Sequence, residues 1–334
     1  MIPYKKNKLE RVVGLNKAIE LAEKDFSYDL IPLQRKDFNI EPSGEFMIQG
    51  TQFPISEGGI RNVCSMLRIP DPFAERIPTD LFIANVNRLL KEKPENRVNA
   101  YFLKEENILI DTNEKVNLQP ISSSRLLTQL DETNEIRVFF ENHFAKIETV
   151  PTTGLQIEVK GEIHSIGNTI FHYPTCKSVP QGYLTMMTMI CKNGAIAPRN
   201  FLREKLNIKS SSDADLLIRN FMDKIGKVSM GKEMLEERFK VLHDTTFSLK
   251  EMKKLFSTTK RAVGIDEVEN VLGNDFVNAY EQTKQVEEDD IDTDANRYKT
   301  YYQMTNYASN ITKSARVSRK FQSMAGKLLL TDAL

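Results

Sequence analysis

The sequence predicts an α+β protein, in which an antiparallel sheet with flanking helices is followed by a helical C-terminal subdomain. The clearest strand pattern is the alternation of Leu155, Ile157 and Val159 with polar residues, which is typical of one buried and one wet face. Later in the chain, apolar residues recur at helical spacing instead. No strand–helix–strand rhythm is present, which argues against a doubly wound parallel sheet. We therefore expect one domain in residues 1–194 and a second in 195–334.

Helices and strands of the first domain are predicted from apolar spacing and from breaks at proline and glycine. Ser56 and Thr79 are candidate N-caps, since a hydroxyl can accept a hydrogen bond from the first helical turn. The predicted helices are 9–24, 57–67, 80–91 and 123–130. The predicted strands are 97–103, 107–110, 136–140, 144–150 and 154–161, and loops with short strands fill 29–53.

The second domain is predicted to end in a long helix that is basic throughout. Ser248 and Glu251 form a capping box at the start of an earlier helix, because each side chain can satisfy the other residue's backbone donor. Residues 286–295 are rich in acids and are interpreted as an exposed linker. The last helix is predicted over residues 296–330, where apolar residues recur every three or four positions.

Composition narrows the class of protein without identifying it. The 334 residues carry 46 basic and 46 acidic side chains, so the net charge favours no particular partner. No run of apolar residues is long enough to cross a membrane, and the first residues do not read as a secretory signal. Three cysteines are typical of free thiols in a reducing compartment. We expect a cytoplasmic protein with no membrane partner.

Two histidines and two cysteines lie close together in sequence and raise the question of a metal or a catalytic thiol. His164, His172, Cys176 and Cys191 could supply nitrogen and sulfur ligands to zinc, although only His172 and Cys176 form a tight pair. The alternative is two strand histidines and two buried, inert thiols. No phosphate-binding loop, nucleophile elbow or zinc-protease motif is present. We therefore predict no metal, no cofactor and no enzymatic activity.

Charge is segregated along the second domain, and this favours nucleic-acid binding. Residues 296–330 contain seven Lys or Arg and no acid, whereas 263–295 contain one Lys and 11 acids. A second basic region, 199–261, has 15 Lys or Arg against nine acids. Phosphate backbones need clustered cations, and single strands also need flat rings. The candidate binding residues are Arg297, Lys299, Tyr302, Lys313, Arg316, Arg319, Lys320 and Lys327.

The same observations allow a plainer alternative. The last helix could be a solvated amphipathic helix whose tyrosines, Tyr298, Tyr301, Tyr302 and Tyr307, belong to the core. The acidic segment before it could also dock on the basic helix and mask it.

Three segments resemble the DUF932 family, a domain of unknown function found largely in phages and mobile elements. They are Ile60 to Pro78, Ile190 to Gly194 and Tyr301 to Tyr307, whose order and spacing match the family across residues 56–330. Thr112 to Ser122 departs from the family's pattern. The resemblance implies a phage or mobile-element setting and a helical C-terminal part behind an antiparallel sheet, and it supplies no catalytic residues.

These observations lead to a ranked set of functional hypotheses. The first is a non-enzymatic phage or mobile-element protein that binds single-stranded nucleic acid, as a homo-oligomer, in replication or recombination. The alternative is a structural or interaction protein that self-assembles, or binds a phage or host protein, through the apolar stripe from Tyr301 to Ala315. An enzyme that uses His164 and His172 with a thiol or carboxylate is the third.

Overall fold

The protein is α+β with antiparallel strand ladders and C-terminal helices, as the sequence predicts. A computed structural model describes most of the chain. The described residues are 3–70, 77–114, 119–130, 134–142, 144–151, 156–159, 161–175, 178–188, 193–196, 203–206, 213–226, 232–286, 291–312 and 314–330.

The described elements alternate between short strands and helices in the first part of the chain. They are β1 Leu9–Val13, α1 Leu15–Lys24, β2 Tyr28–Gln34, β3 Phe38–Ile40, β4 Phe46–Ile48, β5 Thr51–Phe53, α2 Glu57–Met66, α3 Thr79–Glu92, β6 Arg97–Leu103, β7 Ile108–Asn113, α4 Ser123–Leu127, β8 Asn134–Glu141 and β9 Phe144–Pro151. A 3₁₀ turn, Arg35–Asp37, separates β2 from β3.

Strands give way to helices in the second part. The elements are β10 Gln156–Val159, β11 Glu162–His172, β12 Gln181–Thr188, β13 Asn193–Ile196, β14 Arg203–Lys205, α5 Ala214–Gly226, α6 Lys232–Asp244, β15 Thr246–Ser248, α7 Leu249–Val263, α8 Val268–Leu272, α9 Asn274–Thr283, β16 Asp292–Asn296, α10 Arg297–Asn306 and α11 Ala315–Leu330. A π-helical turn, Tyr307–Ile311, follows α10.

The described strands form four sheets. The largest has the order β1-β8-β9-β11-β12-β13, with β10 beside β11 and β14 beside β12. The others are β2-β6-β7, β3-β4-β5 and the pair β15-β16.

The chain divides into two compact units that alternate along the sequence. Unit 1 comprises Met1–Ile147, Ile170–Gln181 and Lys205–Met222, and unit 2 comprises Glu148–Thr169, Gly182–Glu204 and Asp223–Leu334. The boundary predicted between residues 194 and 195 falls inside a segment of unit 2. Long strands such as β9 and β11 contribute residues to both units, so a boundary drawn at a change of secondary structure does not coincide with this division.

In unit 1, helix α2 packs on strand β7. Ser56 caps α2 as predicted, because its hydroxyl accepts a hydrogen bond from the Gly59 amide at 2.9 Å. Helix α3 is capped differently from the prediction, since it begins at Thr79 itself and Pro78 is its N-cap. Side chains from α2, α3 and β6 meet in one core that includes Val63, Val86 and Val98.

Unit 2 holds a second core, to which every helix from α6 to α11 contributes. Its centre includes Phe239, Phe247, Tyr301 and Phe321, all fully buried. These helices share a core because apolar residues recur at helical spacing in the sequence, so that one apolar stripe of each helix faces inward.

The first predicted helix is shorter in the structure than the sequence suggests. The helix expected over 9–24 starts only at Leu15, because Leu9–Val13 instead pairs with β8 as a strand. Gly14 joins the two at a φ of 101°, a conformation that favours glycine.

The long C-terminal helix is interrupted, and the acidic linker is partly a strand. After α10 the chain widens into the π-helical turn and then becomes extended at Thr312, before α11 begins. Within the segment 286–295, Asp292–Asn296 pairs with β15, and Thr293 and Ala295 are buried. Pairing with β15 thus overrides the acidic composition of this segment.

Gly59 allows the close approach of α2 to β7, and Gly59→Ala tests this packing. An added Cβ would lie 2.5 Å from the Leu109 carbonyl oxygen and 2.8 Å from Ile55 Cγ1. Alanine favours a helix by about 1 kcal/mol, but we expect the clash to dominate and unit 1 to lose about 1–3 kcal/mol of unfolding free energy. Urea denaturation measures the change. The exposed control Ser65→Ala should alter stability by less than about 0.5 kcal/mol, and equal stability of the two variants would refute the close-packing argument.

Candidate nucleic-acid interface

The start of α7 is fixed by a capping box that recruits an arginine from α10. The Ser248 hydroxyl accepts a hydrogen bond from the Glu251 amide, and the Glu251 carboxylate accepts one from the Ser248 amide at 3.0 Å. The capping box predicted from the sequence is therefore confirmed. The same carboxylate binds the Arg297 guanidinium at 2.6 and 2.7 Å, and the guanidinium lies over the Phe247 ring. Glu251, the one acid of α7, is thus neutralised within unit 2.

The outward face of α7 is basic. Leu249, Met252 and Leu255 are buried, and this turns the intervening positions to solvent. The cations on α7 are Lys250, Lys253, Lys254, Lys260 and Arg261, of which Lys253 is partly buried and the others are exposed. Residues three or four apart are neighbours on a helix, so Lys254 and Arg261 flank Thr258 on one side of α7.

Helix α11 extends this surface with further cations. Lys320 Nζ lies 3.4 Å from the Thr258 carbonyl oxygen, so its ammonium group reaches the side of α7 on which Thr258 lies between Lys254 and Arg261 in the helical spacing. Lys327 follows seven residues later on the same side of α11 and is exposed. We call the surface formed by Lys250, Lys253, Lys254, Lys260, Arg261, Lys320 and Lys327 the basic face.

The eight candidate residues from the sequence do not all reach this surface. Lys320 and Lys327 belong to the basic face. Arg297 is held by Glu251, and Lys299 binds the Asp275 carboxylate at 2.7 Å on another part of unit 2. Arg319 donates a hydrogen bond to the Tyr183 hydroxyl at 2.6 Å and stacks on its ring.

The remaining candidates are Lys313, Arg316 and Tyr302. Lys313 lies outside the described residues, as does the Arg316 side chain. Tyr302 is half-buried. Tyr298, Tyr301 and Tyr307 are core residues, so the plainer alternative holds for these three rings.

The sequence indicated the basic region 199–261 without locating a surface in it. The spacing of Lys250, Lys254 and Arg261 was the available signal, because those positions share one side of a helix. Their proximity to Lys320 had no signal in the sequence, since it depends on how α11 packs.

The two candidate histidines lie in different environments. His172, in unit 1, forms a hydrogen bond from Nε2 to the Ile121 carbonyl oxygen at 2.9 Å. His164, in unit 2, stacks on Phe239 with ring centroids 3.9 Å apart. Cys176 and Cys191 lie outside the described residues. Within the described ranges, no three His, Cys, Asp or Glu side chains are grouped so that they could hold a metal ion.

No known family model matches this chain, and no curated protein or solved structure shows significant similarity to it. The described helices include none that is long and apolar enough to span a bilayer.

His164 should make unit 2 sensitive to acid. Burial lowers its pKa to about 4, and the nearby His243 contributes further. Because this pKa lies below the unfolded value of about 6.5, the unfolded state takes up the proton first, and stability falls as the pH drops from about 6.5 towards 4.

We expect about 2 kcal/mol of this loss between pH 7 and pH 5. Urea titrations of the native protein and His164→Phe, which keeps a ring on Phe239, measure it. The variant should lose about 2 kcal/mol less than the native protein over this interval. Identical losses would show that His164 is not the titrating group.

Glu251→Ala should destabilise unit 2, because it removes the carboxylate half of the α7 capping box and leaves the Arg297 guanidinium largely buried without its carboxylate. We expect a loss of about 2–4 kcal/mol in the unfolding free energy. Thermal and urea unfolding measure it, with Glu237→Ala on the exposed side of α6 as the matched control. A loss no larger than that of the control would mean that the pair contributes little.

Proposed function

We propose that this protein binds single-stranded nucleic acid through the basic face, as a binding protein rather than an enzyme. One observation carries the proposal: the Lys320 ammonium group lies 3.4 Å from the Thr258 carbonyl, where cations of α11 join those of α7. Clustered cations release counterions from phosphates, which is the main source of backbone affinity.

The electrostatics of α7 and α11 support this proposal. Helix α11 has no acidic residue, and the one acid of α7, Glu251, is engaged by Arg297. The two helices that carry these seven cations therefore supply no competing carboxylate. Alternating charges would be expected on a helix face that is merely solvated.

The proposed setting is replication or recombination of a phage-like element in the host cytoplasm. This part of the proposal is supported by the resemblance to the DUF932 family, which stays a prediction from the three sequence segments.

The self-assembly alternative depends on the stripe from Tyr301 to Ala315. Tyr301, Met304 and Ala308 pack inside unit 2, so these positions offer no surface to a partner. Ile311 is 48% exposed, but it is a single residue at the end of the π-helical turn. The basic face is consequently the better-supported interface.

Neutralising the centre of the basic face should weaken nucleic-acid binding. The variant carries Lys254→Gln, Arg261→Gln and Lys320→Gln, and its control carries Lys17→Gln, Arg88→Gln and Lys93→Gln, which are exposed in unit 1. Fluorescence anisotropy with a labelled single strand of about 30 nucleotides, and with its duplex, between about 50 and 200 mM salt measures affinity. We expect the slope of log affinity against log salt to decrease by about 2 in the variant, since each lost phosphate contact removes about 0.7.

The control should bind like the native protein. Equal affinity of the variant and the control would remove the basic face from the proposal. Failure of the native protein to bind any strand at about 50 mM salt would overturn the proposed function itself.

A further inference from the structure

A cleft of about 570 Å³ opens in unit 2 between α8, α9 and α10. Its lining includes Glu269, Asn274, Lys299, Tyr302, Gln303 and Ile311. This volume lies within the range of small-molecule sites, about 300–1,000 Å³. Helix α7 packs against both α8 and α9, so the basic face and the cleft are built on neighbouring helices of the same unit.

The cleft depends on a glycine between α8 and α9. Gly273 has a φ of 88°, which allows the chain to turn directly from one helix into the next. Gln303 of α10 packs over it, and a Cβ at Gly273 would lie 3.1 Å from Gln303 Cγ. The amide end of Gln303 is thereby held at the wall of the cleft.

Two amide groups offer hydrogen bonds in the cleft. No hydrogen bond joins the side chain of Asn274 or Gln303 to another described residue. Each amide presents both a donor and an acceptor, the combination that reads the edge of a nucleobase.

Apolar and aromatic groups complete the lining. Buried Leu272 and Phe276 form part of it, and Ile311 reaches it from the π-helical turn with 48% of its surface exposed. Such turns are rare and occur frequently at functional sites. The half-buried ring of Tyr302 supplies a flat surface on which a base could stack.

Charge in the cleft favours a neutral ring over a phosphate. Lys299 and Asp275 both line it and bind each other at 2.7 Å, so Glu269 is the charged lining residue that has no ion-pair partner among the described residues. A phosphate would be repelled there, whereas the exocyclic amine of a base could donate a hydrogen bond to a carboxylate. The phosphates of a strand are better placed on the basic face.

We propose that this cleft receives one unstacked base of the bound strand, which stacks on Tyr302 while its edge is hydrogen-bonded by Gln303 and Asn274. This inference rests on the proposed function and deepens it by assigning the base contacts, whereas the basic face accounts for the phosphates. It also predicts a preference for single strands over duplexes, because a paired base cannot enter a cleft without leaving its duplex.

Comparing a normal single strand with an abasic strand of the same length tests the proposal. The native protein should bind the normal strand about tenfold more tightly, since one stacked base contributes roughly 1–3 kcal/mol. Gln303→Ala and Tyr302→Leu should each reduce that advantage and leave the affinity for the abasic strand unchanged. Gln282→Ala, an exposed glutamine of α9 outside the cleft, is the matched control. Circular dichroism and thermal unfolding establish that each variant is folded.

The possible results separate the two proposals. If the native protein binds both strands equally, or if folded cleft variants match Gln282→Ala on the normal strand, the cleft proposal is overturned and the basic face stands. If no strand binds, the proposed function fails, and titration with the four free nucleosides then tests whether the cleft binds a base. Saturable nucleoside binding that Gln303→Ala abolishes would support a base site, and absence of binding would remove it.

Discussion

The pairing of Arg297 with Glu251 is the interaction on which the candidate surfaces of unit 2 depend. The two residues lie 46 positions apart, one at the start of α10 and one in the first turn of α7. The strands that precede these helices, β15 and β16, pair with each other and bring both helix starts together. The contact between Arg297 and Glu251 holds the start of α10 against the start of α7, and it also neutralises the one carboxylate of α7. The result is a helix with a uniformly basic outer side.

In helices α7, α8, α9 and α11 of unit 2, charge is sorted by element. Helices α7 and α11 carry the cations of the basic face, whereas α8 and α9 carry exposed carboxylates such as Glu269 and Glu281. Opposite charges sorted in this way steer an approaching polyanion towards the basic side of the unit, and this steering weakens as salt screens the charges. A strand held in this way would place its backbone on the cations and present its bases to the more acidic side, where the cleft opens.

The elements that the sequence predicted well are those set by neighbouring residues. The Ser56 cap, the capping box of Ser248 and Glu251, and the apolar stripe of α2 each depend on side chains within one turn of each other. The predictions that were wrong concern segments whose structure depends on residues far away in the sequence. Leu9–Val13 is a strand because it pairs with β8, which lies more than 120 residues away in the sequence. Asp292–Asn296 is a strand because it pairs with β15. Long-range pairing overrides local propensity, since an unpaired backbone group costs more than a propensity difference.

By itself, the sequence determined the fold class, most of the helices and the segregation of charge, because alternation, helical spacing and composition are properties of neighbouring residues. It also indicated that residues 199–261 and 296–330 are basic. Only the tertiary structure decided which of those cations share a surface. Packing directs Arg297 to Glu251, Lys299 to Asp275 and three tyrosines into the core, and it brings Lys320 to Thr258. The cleft also depends on the tertiary structure, since its walls come from helices that meet only when the core of unit 2 forms. The spacing of residues along the sequence does not reveal which helices will meet.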